Sequence, residues 1–152
     1  MIKVNVELNS KLWKHKIKNP RNYFNQKIKK IGKSNTFLKN KSFSFTILLT
    51  NNSTMKKLNK KFRKFNKSTD VLSFPNFLKK NIKLHRNKDI YVGDIAICYQ
   101  IINLRGRGYN FFKELDKAWI HGLLHLFGYR HLRNHDYLKM IKLEKKILNL
   151  FY

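Results

Sequence analysis

A chain of 152 residues with 42% hydrophobic side chains is one domain's length and can bury a core, which excludes a disordered tail. Its 34 Lys and Arg stand against 8 Asp and Glu, a formal net charge of +26 that points to a polyanionic partner, most plausibly nucleic acid, although a composition rich in Lys, Asn, Ile and Phe and poor in Ala, Gly and Pro also follows from AT-rich coding. No stretch approaches the ~20 apolar residues of a spanning helix, MIKVNVELNS has no secretory core or cleavage site, and the one cysteine, Cys98, excludes an internal disulfide and fits a reducing cytoplasm.

Ile2, Val4, Val6 and Leu8 alternate with polar residues and predict an edge strand. Residues 21–32 read as a basic amphipathic helix stopped by Gly32. Phe43–Thr50 (FSFTILLT) reads as a central strand. Asn52 or Ser53 caps a helix over about Thr54–Phe62. Val71–Phe74 is a short strand closed by Pro75, and residues 76–90 an exposed loop or hairpin that includes the surface residue His85. Tyr91–Cys98 is a further strand, in which Cys98 is a packed small side chain. A helix spans about Phe111–Phe127, with Trp119 in the core. A last helix runs from near Asn134 to the C-terminus, flanked by His135 and Asp136, with Leu138, Met140, Ile141, Leu143 and Ile147 on its inner face. Strands and helices intermix, so the fold class is α+β, one domain over residues 1–152 with a small mixed sheet packed with helices.

The run HGLLHLFGYRH, His121–His131, carries the chemistry. Histidines four apart on a helix share one face. Gly128, three residues on, can take the left-handed conformation that ends a helix. The chain can then bring His131 back to His121 and His125. Three neutral imidazoles with an open fourth position are the donor set of catalytic zinc, one ion per chain. Such a metal polarises an electrophile and acidifies a water. Zinc peptidases of this spacing place a glutamate after the first histidine as general base; here that position is Gly122.

Three segments in order, LNKKFRKFNKSTDVLSFP (Leu58–Pro75), GDIAI (Gly93–Ile97) and HGLLHLFGYRH, resemble the YbeY family of bacterial rRNA maturation factors. The resemblance spans about Asn51 to the C-terminus. It implies an α+β fold with the zinc site at the end of a small sheet, and cleavage of single-stranded RNA. It further implies maturation of the 3′ end of small-subunit rRNA and ribosome quality control, with an rRNA precursor and the ribosome or its assembly proteins as partners. His121, His125 and His131 match the zinc ligands. Arg63, in the LN-x-x-x-R pattern, matches an essential basic residue, and Thr69, Asp70, Ser73 and Asp94 match the TDVLSF and GDI segments. One departure is Arg130, where the family has aspartate before the third histidine.

Arg63 can pair with a phosphate in a bidentate fork that lysine cannot form. Asp70 and Asp94 lie inside apolar runs and need partners; each could accept from a ligand histidine's second nitrogen, or Asp70 could form a turn with Thr69. Tyr109 and Tyr129 could stack on bases. Three function classes compete: a zinc endoribonuclease, a non-catalytic RNA- or ribosome-binding factor with bound zinc, and a metallopeptidase, which Gly122 opposes.

Overall fold

The structure, a computed structural model, describes residues 1–34, 36–39, 41–76, 89–107 and 110–152. His85 and Tyr109 lie outside the described residues, as does most of the loop expected over residues 76–90. Four strands form one mixed sheet in the order β1-β2-β4-β3: β1 Ile2–Leu8, β2 Phe43–Thr50, β3 Val71–Pro75 and β4 Ile90–Cys98. β1 and β4 each run parallel to β2, while β3 runs antiparallel to β4 and forms the far edge. Among the described residues, five α-helices accompany them: α1 Pro20–Lys33, α2 Asn52–Arg63, α3 Tyr99–Arg105, α4 Phe111–Leu126 and α5 Asn134–Leu148. The class is α+β, as the mixture of periodicities predicts. No helix among the described residues is long and apolar enough to cross a membrane.

Alternation along β2 decides which face meets which layer. Phe43, Phe45, Ile47 and Leu49 are buried in the main core with Phe24 and Ile28 of α1 and Leu115, Trp119 and Leu123 of α4. The opposite face holds a smaller cluster in which Met55 of α2 meets Leu72, Ala96 and Cys98. α4 buries most of its side chains because it is central, packing on β3, β4, α3 and α5, and leaves Lys113, Glu114, Lys117 and the two histidines on its open side. Its one fully buried acid, Asp116, accepts from Tyr23 Oη (2.8 Å), Trp119 Nε1 (2.8 Å), Tyr152 Oη (2.7 Å) and Lys27 Nζ (2.5 Å). A buried carboxylate needs such partners. Burial, and then the Asp116 charge, push the Tyr23 hydroxyl far up, so it remains a donor. This network ties α1 and the C-terminus to the helix that carries the histidines.

The short helices escaped the sequence patterns. A 3₁₀ turn over Lys11–His15, capped by Ser10, buries Trp13, whose Nε1 donates to Thr50 O (2.9 Å). α3 follows β4 without a side-chain cap. α1 passes through Gly32 to Lys33, because the Ser34 N–H, not a left-handed glycine, closes its last turn on Ile31 O (3.0 Å). On α5, Met140 and Ile147 are buried as expected, but Leu138 is 64% exposed.

Two glycines set the geometry around β4. Gly93 has φ +134°, beside the register shift between β2 and β4, and an added Cβ would lie 2.2 Å from Phe74 O. No L-side chain fits there. Gly122 lets α4 lie close against the sheet: a Cβ would lie 2.8 Å from Ile95 Cγ2 and 3.1 Å from Ser73 Oγ. Gly122→Ala therefore overpacks a rigid contact, and its better helix propensity offsets only part of the loss. A net destabilisation of about 1–2 kcal/mol is expected in urea unfolding; an unchanged midpoint would remove close approach as the reason for this glycine.

Candidate metal centre

α4 delivers His121 and His125 one turn apart at its C-terminal end. Gly128, at φ +80°, ends the helix: its N–H bonds to His125 O (2.9 Å), and the Tyr129 N–H to Leu124 O (3.1 Å). The turn brings His131 back, with ring centroids 4.6, 5.5 and 5.1 Å apart. One ring nitrogen from each of the three lies within 4.8 Å of the others.

The outer nitrogens are taken. His125 Nδ1 lies 2.8 Å from Tyr129 O, and His121 Nδ1 lies 2.6 Å from Glu144 Oε1 of α5. A carbonyl only accepts, and a carboxylate beside an imidazole accepts too, so both Nδ1 atoms carry hydrogen. The two Nε2 atoms then present lone pairs to each other at 3.0 Å. Only a cation between them, a proton or a metal ion, relieves that opposition. Burial, followed by the neighbouring His121, lowers His125 to about 4. It is therefore neutral at pH 7 and has no proton to lose on binding a metal. The donor set fits a metal ion, with His131 as the exposed third member.

Around the histidines lies a cleft of about 820 Å³ lined among others by Arg63, Ser73, Tyr129, Arg130 and Leu132. Arg63 Nη2 donates to Ser73 O (3.1 Å), and Ser73 Oγ donates to Gly122 O (3.2 Å). The structure thus brings Arg63 and Ser73 to the triad. Arg130 adds a second guanidinium to the same cleft. The Tyr129 ring packs edge-on against Phe37.

Asp70 and Asp94 are not the histidine partners. Asp70 accepts from Thr69 Oγ1 (3.0 Å) and the Val71 N–H (2.9 Å), and pairs with Arg105. Ile95 faces α4, so Asp94, one residue earlier in a period-two strand, faces the other side of the sheet and accepts from Tyr91. The bond expected of them comes from Glu144, which the sequence reading passed over. Its signal is an acid among only eight, on the α5 stripe of Met140 and Ile147. Glu144→Gln keeps an acceptor but removes the charge, so metal affinity is expected to fall ~10–100-fold by competition against a chromophoric chelator. Unchanged affinity would leave Glu144 a mere helix–helix contact.

Sheet, cleft and triad together define a small α+β protein with a three-histidine centre suited to a metal ion beside β3, the edge strand of its sheet. The chain belongs to the YbeY family: the family model described as "Endoribonuclease YbeY" matches residues 7–152. It is 43% identical over 150 residues to the endoribonuclease YbeY of Pelagibacter ubique, covering 97% of this chain and 94% of that one. The Buchnera aphidicola endoribonuclease YbeY is 39% identical over 133 residues, 83% of this chain and 77% of the relative. The solution structure of a Thermotoga maritima protein superposes with a TM-score of 0.56 at 27% identity, covering 99% of this chain and 88% of that one.

Proposed function

We propose that this protein is a zinc-dependent endoribonuclease specific for single-stranded RNA. In this reading it acts in the cytoplasm on the 3′ end of small-subunit (16S) rRNA and in ribosome quality control, alongside the ribosome or its assembly proteins. The observation that carries the chemistry is the pair of Nε2 lone pairs facing at 3.0 Å with both Nδ1 atoms engaged. His121, His125 and His131 would hold the ion, which supplies Lewis-acid polarisation of a phosphoryl oxygen and an acidified water.

The chain's own residues do the rest. Arg63, held by Ser73 O, keeps further N–H groups for a phosphate, and Arg130 adds charge to the same cleft. Glu144 holds the His121 tautomer, and Tyr129 O that of His125. Ser73 supports the α4 end through Gly122 O and does not touch the ring nitrogens. Asp70 accepts from the Val71 N–H at the start of β3.

A peptidase reading meets two obstacles. A side chain at position 122 would run into Ile95 and Ser73, so the position cannot carry a general base. β3 bonds to β4 through its even-numbered residues, as Cys98 N to Asp70 O and Asn76 N to Val92 O show. Ser73 O therefore points to the open edge, and Arg63 already occupies this acceptor that an extended peptide would use. The test is metal-loaded protein offered a single-stranded RNA and an unstructured protein, with and without chelator. Chelator-sensitive RNA cleavage with the protein left whole supports the nuclease; RNA bound but uncut supports a binding factor; proteolysis with intact RNA overturns the reading.

A further inference from the structure

Two aromatic side chains at the helix end that carries Arg63 serve neither core nor triad. Phe62 and Phe65 stand on either side of Arg63 in sequence and are 52% and 59% exposed. The corner that carries them is held in place. α2 ends on Lys64 in the left-handed region (φ 65°), and the Phe65 N–H bonds back to Asn59 O (3.3 Å). Asn59, buried, donates through Nδ2 to Lys67 O (2.8 Å), which explains the asparagine of the LN-x-x-x-R pattern. Phe62 rests edge-on against Phe74, ring centroids 5.1 Å apart. Lys61 and Lys67 stand over the two rings, at 5.2 and 5.8 Å.

Charge selects the occupant. From Asn51 to Thr69 there is no acid, while Lys56, Lys57, Lys60, Lys61, Lys64 and Lys67 join Arg63. Exposed rings set among cations, on the same helix end as the Arg63 that lines the cleft, match a strand that is both anionic and aromatic. We infer that Phe62 and Phe65 form a stacking platform for the bases of single-stranded RNA running into the cleft past Arg63. Every unpaired base has a free face for such rings and a duplexed base has none, so the platform selects strandedness and tolerates sequence. The inference rests on the nuclease reading for its ligand.

The experiment measures binding of a fluorescent oligouridine, with chelator present so that the strand is not cut, and of its duplex with oligoadenosine, to native protein and to Phe65→Leu, Phe62→Leu and Phe65→Trp. Phe65→Leu is expected to weaken single-strand binding about tenfold and leave the salt slope unchanged, since no cation is lost. Phe65→Trp should restore affinity, with indole emission quenched by the single strand and not by the duplex. Thermal unfolding separates these effects from misfolding, and Phe65, free of the Phe74 contact, is the cleaner site. Native protein that cuts RNA while both leucine variants bind like the parent overturns the platform alone, and leaves the patch to a protein partner. Native protein that neither binds nor cuts single-stranded RNA overturns the nuclease reading instead.

Discussion

Replacing His125 with alanine is expected to abolish tight metal binding and reduce RNA cleavage by ~10³-fold or more, the scale of the several kcal/mol that a metal ion contributes to phosphoryl chemistry. The residue is central for a geometric reason. Its Nε2 faces His121 Nε2 at 3.0 Å, its Nδ1 is fixed by Tyr129 O, and it is already neutral at pH 7. Without it, His121 and His131 leave a two-nitrogen site. Elemental analysis of protein purified without chelator is the check, with about one metal ion per native chain and far less than one in the variant. A variant that holds metal as tightly as the native protein would mean the triad is not the binding site.

Arg63→Lys is expected to keep the metal and the fold yet lose about 10²-fold in cleavage, the usual cost of removing one preorganised electrostatic group from a transition state. Nη2 is committed to Ser73 O, and only a guanidinium has further N–H groups to spare for a phosphate in the same pose. Lysine keeps the charge but offers one nitrogen. Single-turnover rates decide the matter, read beside metal content and thermal midpoint. A full rate with a lowered midpoint would reduce Arg63 to a clasp on the edge of β3.

What the sequence made legible was whatever repeats locally. β1 and β2 alternate with period two because one face of each meets the core. The histidine helix, its glycine stop and the returning third imidazole are short-range geometry, and they stand as expected. Glu144 was not legible, because its role depends on where α5 docks against α4, a tertiary fact. Asp116 is similar: its four donors come from α1, α4 and the C-terminus, so no window of sequence displays the site. The acids Asp70 and Asp94 were rightly read as needing partners, but in a chain with 34 cations the partner of Asp70 is an arginine, and strand parity turned Asp94 away. In the sequence Gly122 marks the absence of a general base; the packing adds that a side chain there would collide with Ile95 and Ser73.

The claim that the three-histidine cleft cuts RNA is tested most directly on a small-subunit rRNA precursor. Metal-loaded native protein and His121→Ala are incubated with it side by side, and the new 3′ ends are mapped. The nuclease reading requires cuts in single-stranded segments that appear with the native protein, disappear with a chelator, and are absent from the variant. Equal cleavage by the variant, or a precursor left whole by native protein that carries its metal, would contradict it.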